Sequence, residues 1–241
     1  MRKLVHTSRR YLRYAEYFLT WLFLEKPRGL DFSMRAKAAG ITAQGNHGYA
    51  LTSRKALTNI LRRIPISEQD SFLDIGCGKA GVVCYASDFP FGKIAGIEVE
   101  SWLVDIARKN VKILNLDKRA NIIHEDALKF NGYGEYNVFF LFNPFDLDIY
   151  AMVLEKIFAA MKSGRYGEQT VWLLCYGASN FDVIKNSDLF DLYIDGICPY
   201  RGNLSRVWKS KSPLLYAENG ERRTASSDGV ADSSDAPAGR G

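Results

Sequence analysis

Residues 71–87, SFLDIGCGKAGVVCYAS, hold the reading on which the fold turns. Five residues with strand character, Ser71 to Ile75, run into Gly76, Gly78 and Gly81, and a helical pattern starts directly behind them. This G-x-G-x-x-G spacing is by itself weak, because it serves a pyrophosphate in dinucleotide folds and other nucleotide-like ligands elsewhere. The residues around the glycines must separate those cases.

Outward from this stretch, strand-like runs alternate with helical ones. Strands are expected at SFLDI, KIAGIEV, NIIHEDA, NVFFLF and TVWLLCY, and helices at SRKALTNILRRI, after Lys79, at SWLVDIARKNVKILN and at DIYAMVLEKIFAAMK. In the SWLVDIARKNVKILN helix, Leu103, Ile106, Ala107, Val111 and Leu114 share one face. In DIYAMVLEKIFAAMK the same holds for Ile149, Met152, Val153, Ile157, Ala160 and Met161. Runs such as VFFLF and VWLLC are continuously apolar, as expected of strands covered by helices on both faces. The order predicts an α/β fold with a doubly wound, mostly parallel sheet. FDLYIDGI and LSRVWKSK are separated only by CPYRGN, too short for a crossover helix, so they should pair antiparallel. The expected boundaries are an N-terminal helical extension over 1–52, a cofactor-binding domain over 53–216 and a disordered tail over 217–241, rich in Ser, Asp, Gly and Ala.

Composition narrows the class. The chain has 241 residues, 47% of them hydrophobic and 24% charged, the profile of a soluble globular protein. Cys77, Cys84, Cys175 and Cys198 show no C-x-x-C spacing and no clustering with His6, His47 or His124, which argues against a disulfide framework or a metal site. A reducing cytoplasm is the expected compartment. The net charge of +5 is uneven: residues 1–70 carry thirteen Lys/Arg against five Asp/Glu, whereas residues 71–216 carry sixteen against seventeen. The apolar run in YLRYAEYFLTWLFLEKP is interrupted by Arg13 and Glu16 and followed by Glu-Lys-Pro, so neither a signal peptide nor a membrane span is expected. An amphipathic helix packed on the domain is the expectation, with an interfacial membrane helix as the alternative.

Ligands of such sheets sit at the carboxyl ends of the strands. The first strand ends at Asp74, two residues before Gly76. A carboxylate there repels a pyrophosphate, which needs bare N–H groups, and suits a ligand carrying an ammonium group. The second strand ends at Glu98, 22 positions after Gly76, the distance at which an acidic side chain meets a ribose. Asp126, in HEDAL, is placed to accept from an exocyclic amine, and Asn143 and Pro144 end the fourth strand. Together they describe a pocket for an adenosine joined to a phosphate-free, cationic group.

That pocket suits S-adenosylmethionine, and residues 53 to about 210 resemble the class I (seven-strand, Rossmann-like) S-adenosylmethionine-dependent methyltransferases. FLDIGCGKAG is similar to their first motif, IAGIEVE to the acidic second-strand motif and HEDAL to the third. The resemblance implies that Asp74 with the Gly76–Gly78 loop holds the methionine part, Glu98 the ribose hydroxyls, and Asp126 with the Ala127 amide the adenine. Many members have Gly where Ala80 stands; Ala is expected to fit if that position is already helical. FFLFNPF is similar to the Asn/Asp-Pro-Pro-Tyr/Phe motif of amino-methylating members but has one Pro. By that likeness Asn143 and the Pro144 carbonyl orient the acceptor, Asn143 also borders the cofactor, and Phe145 forms a wall. Asp146 or Asp148 is a candidate to take a proton, or else the N-cap of the following helix. With GYALTS upstream, the single-Pro form also resembles a bacterial group related to the non-SET histone-lysine methyltransferases, which places Tyr49 and Thr52 in a lid over the cofactor.

The implied activity is methyl transfer to an undetermined acceptor, with a lean to an amine or small polar metabolite. An NAD(P)-dependent oxidoreductase is the alternative enzyme, opposed by Asp74. A non-catalytic module holding RNA or an anionic surface through Arg2, Lys3, Arg9, Arg10 and Arg13 is the alternative of another kind.

Overall fold

A computed structural model describes residues 15–33, 52–142, 147–177, 181–197 and 204–211. Seven strands form one sheet: β1 (Ser71–Ile75), β2 (Lys93–Glu98), β3 (Ala120–His124), β4 (Val138–Leu141), β5 (Trp172–Tyr176), β6 (Phe190–Ile197) and β7 (Leu204–Ser210). Their order is β3-β2-β1-β4-β5-β7-β6. The first five are parallel, and β7 runs antiparallel to both β5 and β6. The order reverses between β1 and β4, so the carboxyl end of β1 borders the switch point where ligands of open α/β sheets bind.

Side chains alternate across the sheet and build a core on each face. Phe72, Ile94, Phe140 and Leu174 point into a cluster with α2 (Arg54–Leu61), α3 (Gly81–Ala86) and α4 (Ser101–Ile113). Leu73, Ile97, Phe139 and Leu173 point the other way, onto α5 (Leu147–Lys162) and α6 (Asp182–Asn186). This two-sided burial explains why the central strands are uniformly apolar. Asp74 shares the parity of Phe72, so its carboxylate is directed to the α3 side, where Gly76–Ala80 turns.

The observed strands trim the expected ones. β3 stops at His124: the Glu125 N–H makes the last rung, to the Glu98 carbonyl, and the chain then turns at Asp126, whose carbonyl takes the Lys129 and Phe130 N–H groups, instead of continuing as NIIHEDA. The expected antiparallel pair is present, with an irregularity between Leu192 and Ile194. Helix α6 carried too few periodic residues to be read from sequence; it is held by Phe181 and Ile184 in the second core.

Residues 15–20 are helical (α1), then widen to a π-turn over Trp21–Glu25 and a short 3-10 turn over Lys26–Arg28. This helix leaves Phe18, Leu19, Phe23 and Leu24 exposed, while Tyr17, Thr20, Trp21 and Leu22 are half-buried. The segment behind it docks on the domain: Leu30 and Phe32 are buried in the first core. No helix among the described residues is long and apolar enough to cross a membrane.

At the far end of the sheet, Asn137 is fully enclosed. Its Oδ1 accepts from Ser71 N (2.8 Å), while Nδ2 donates to Asp70 Oδ1 (2.8 Å) and Thr170 O (3.0 Å), binding the starts of β1, β4 and β5. Asn137→Ala strands the Ser71 N–H and the Thr170 carbonyl, so chemical denaturation should report a loss of about 3 kcal/mol.

Candidate functional site

The turn after β1 is held at almost every peptide. The Gly76 and Cys77 N–H groups both donate to the Ile97 carbonyl, at 3.0 and 2.9 Å, which lays the turn across the end of β2. The Gly78 N–H donates to Glu98 Oε2 at 2.8 Å. The Ala80 N–H returns to the Cys77 carbonyl at 2.9 Å. Gly76 (φ 77°) and Gly78 (φ 54°) take left-handed conformations that glycine enters without steric cost. The spacing of those two glycines is thus a backbone requirement.

Ala80 differs from expectation. It lies outside the helix, as the N-cap of α3 with φ 66° and ψ 25°, and is fully buried. A left-handed alanine costs about 1 kcal/mol relative to glycine. The turn keeps its path despite the alanine because the bonds on either side determine it. Gly96, on β2 beneath the turn, is the residue that sequence reading missed. A Cβ there would stand 2.6 Å from Cys77 Cβ and 2.8 Å from Val83 Cγ2, so only glycine lets the turn lie this close. Cys77 is the buried filler of that contact.

Asp74 is the electrostatic centre. It is only 3% exposed, and its carboxylate receives no hydrogen bond among the described residues. Burial, and then the charge of Glu98, push its pKa well above the ordinary carboxylate range. An unpaired buried carboxylate is costly, and a cation delivered to it removes that cost.

Glu98 is buried for a different purpose. Besides the Gly78 N–H, it accepts from the Val99 N–H (2.9 Å) and the Glu100 N–H (3.0 Å) on Oε1. Burial raises its pKa, and these three donors oppose the rise. Oε1 is fully used, which leaves acceptor capacity on Oε2. Asp126 is half-buried in the turn after β3, where Oδ1 caps the Leu128 N–H at 2.9 Å and Oδ2 has no donor among the described residues. Ala127 is buried beside it, its carbonyl taken by the Tyr133 hydroxyl at 2.8 Å. In the register Asp74 is level with Gly96 on β2, two residues before Glu98, and Glu98 is level with His124 on β3, two residues before Asp126.

Thr52 is buried just ahead of α2. Tyr49, Asn143, Pro144, Phe145 and Asp146 lie outside the described residues. Asp148 falls within the first turn of α5 and is exposed, so it is not the N-cap of that helix.

A second cluster ties the N-terminal segment to this turn. Lys79, 1% exposed, donates from Nζ to Asp31 Oδ1 at 2.6 Å. Asn110 on α4, fully buried, accepts the Asp31 N–H and donates to the carbonyls of Asp31 and Lys79, each at 3.0 Å. Glu25 accepts from the Phe32 and Ser33 N–H groups at 2.8 and 2.9 Å and from the Ser33 hydroxyl. Residues 25–33 are thereby locked to the glycine turn. Neither Lys79 nor Asn110 shows a sequence signal for this role, because their partners are 48 and 79 positions away.

No family model matches the chain. An rRNA adenine N-6-methyltransferase from Clostridium perfringens is 30% identical over 80 residues, which are 33% of this chain and 31% of that protein. Proteins of the same name from Enterococcus faecalis and Streptococcus pneumoniae match to the same extent. The chain thus spans about a third of the length of the curated relatives it matches. Among solved structures, yhhF from Escherichia coli, a candidate methyltransferase, superposes with a TM-score of 0.50 at 16% identity, covering 66% of this chain and 84% of that one. The pyocyanin biosynthetic protein PhzM gives 0.51 at 14% identity, covering 65% and 54%.

Replacing Ala80 by Gly relieves the left-handed backbone. Thermal unfolding should show a gain of about 1 kcal/mol at most, since glycine also loosens the unfolded chain. Gly96→Ala should act oppositely, lowering stability and displacing the turn, with amide chemical shifts of Gly76 to Ala80 as the readout.

Proposed function

We propose that this chain, built on the class I Rossmann-like methyltransferase fold, is an S-adenosylmethionine-dependent methyltransferase acting on an amine nitrogen. One observation carries the cofactor reading: a buried carboxylate, Asp74, with no hydrogen-bond donor among the described residues, at the switch point beside a glycine turn. The strand order and the likeness to the adenine N-6-methyltransferases support it.

The residues present suit the cofactor. Asp74 supplies the counter-charge for its ammonium group, and the Gly76–Gly78 turn brings backbone close to the amino-acid end. Oε2 of Glu98 accepts from a ribose hydroxyl, its other acceptor sites being occupied by Gly78, Val99 and Glu100. Asp126 accepts the adenine amine on Oδ2, while its Oδ1 bond to Leu128 fixes the carboxylate plane. When bound, the cofactor supplies a methyl group already activated on a sulfonium sulfur. What this chain adds is orientation: holding both partners in line and excluding water. Asn143 and the Pro144 carbonyl accept hydrogen bonds from the acceptor amine, Phe145 walls its plane, and Asp146 takes the released proton. Tyr49 and Thr52 cover the cofactor as part of an extension over 1–52 that is joined to the catalytic unit 53–216.

A nicotinamide dinucleotide fits less well. Its pyrophosphate would meet the Asp74 carboxylate and find the Gly78 N–H committed to Glu98. For the acceptor, the exocyclic amine of an adenine in RNA is the specific form that the curated relatives favour. The alternative, a small amine, rests on Asn143-Pro144-Phe145 alone. A tritiated-methyl transfer screen over RNA, protein and small-molecule fractions separates them, and label confined to protein would reject both.

Asp74→Asn tests the cofactor reading through opposed effects. The variant should raise apo stability at neutral pH by about 2 kcal/mol, because it removes an unpaired buried charge, yet weaken S-adenosylhomocysteine binding about 100-fold. Calorimetry that found NADH bound and S-adenosylhomocysteine unbound would sink the assignment. Asn143→Ala should leave that binding intact and lower turnover.

The pH dependence follows from the raised Asp74 and Glu98 pKa values. Between the unfolded carboxylate range and these raised values the folded state holds more protons, so apo stability should fall as pH rises through that window. Affinity for S-adenosylhomocysteine should rise across the same window, since only the ionised Asp74 pairs with the ammonium. A thermal-shift series with and without the ligand reads both slopes.

A further inference from the structure

The exposed face of the N-terminal helix is unexplained by methyl transfer. Phe18, Leu19, Phe23 and Leu24 are 47%, 50%, 66% and 56% exposed, four large apolar side chains within seven positions. The π-turn contributes to this grouping. Its Lys26 N–H bonds to the Trp21 carbonyl, five residues back, the wide spacing of a π-turn, and Phe23 and Leu24 lie within that turn. Trp21 is half-buried, with its ring 6.0 Å from that of Phe18, and Lys26 Nζ stands 5.0 Å over the same indole.

This face is held out by a built anchor. The buried Glu25 carboxylate closes the helix end onto Phe32 and Ser33. Asp31 is bonded to Lys79 and Asn110, and Leu30 and Phe32 are sunk in the core. A fixed cluster of exposed apolar side chains marks an interaction surface.

Charge selects the occupant. Within residues 15–28 the exposed charges are Lys26 and Arg28 against Glu16, Glu25 being buried, and the sequence directly ahead, 1–14, adds five Lys/Arg and no acid. A second copy would bring the same excess of positive charge to the contact and be repelled. RNA would meet the arginines but gain little from Leu19 and Leu24. An anionic lipid surface satisfies both halves: acyl chains and glycerol backbone for the apolar residues, headgroup charge for the basic ones, and an interfacial level for Trp21.

We propose that the segment from residue 15 to residue 28 is an interfacial anchor that seats the protein on anionic phospholipid bilayers, lying along the surface without crossing it. Through Asp31 and Lys79 the anchor and the glycine turn move together, so membrane seating sets where the cofactor site faces. This inference is independent of the reaction proposed above.

Cosedimentation of the full chain with vesicles tests it, using phosphatidylcholine alone and phosphatidylcholine mixed with phosphatidylglycerol. Binding should be confined to the anionic vesicles, decline with added salt, and fall about tenfold or more in Phe18→Ser/Phe23→Ser. Both positions are exposed, so the unfolding midpoint should be unchanged and a loss of binding cannot be assigned to misfolding. The inference is overturned by absence of cosedimentation with anionic vesicles, or by binding that the double variant retains. It is likewise overturned if the variant abolishes only a concentration-dependent dimer, or only retention of single-stranded RNA.

Discussion

Everything at the switch point depends on one buried carboxylate with no hydrogen-bond donor among the described residues. Asp74 is the penultimate residue of a strand buried from Phe72 onward, and its nearest charged influence is another acid, Glu98. Ordinary folding selects against such a group, because desolvation is not offset by pairing. Its presence makes sense as stored affinity for a cation. The same field makes the cleft hostile to a pyrophosphate, and this separates the present glycine turn from that of a dinucleotide fold more firmly than glycine spacing does.

The turn beside Asp74 is fixed by its own backbone bonds. Two N–H groups converge on the Ile97 carbonyl, a third is held by Glu98, and the absence of a side chain at Gly96 lets the loop settle onto β2. Strain at Ala80 is tolerated because these bonds leave no other path. Glu98 therefore has a structural duty, orienting the turn, along with the ribose contact proposed for it. A substitution at Glu98 changes both, whereas one at Asp74 changes electrostatics with little effect on the path.

The Asp31, Lys79 and Asn110 cluster extends this rigidity to the N-terminal segment. A lysine in a cofactor turn would ordinarily be read as a phosphate contact. Here its ammonium is buried against Asp31, more than forty positions earlier in the chain, and its carbonyl is held by Asn110. The extension is thus mechanically part of the site, although the helix ahead of it presents its apolar residues to the outside.

Local pattern determined the sheet, the paired glycines and the three acids at strand tips, because strand alternation, positive backbone angles and topological switch points all leave short-range traces. In the N-terminal segment, by contrast, the sequence did not show which apolar residues stay exposed. Amphipathic character says that an apolar face needs a cover but not that the domain provides it, and here the domain takes Leu30 and Phe32 instead of Phe18 and Phe23. Gly96, Asn110, Asn137 and the role of Lys79 were equally illegible, since each acts through a contact between segments far apart in the chain. Ala80 shows the boundary between the two kinds of information: its neighbours in sequence suggested a helix start, and the hydrogen bonds from β2 and α4 put it in the left-handed region. Sequence by itself decided which chemistry stands at each strand end. Only tertiary structure decided which of those groups would be left unpaired, because pairing depends on what the rest of the fold brings within reach.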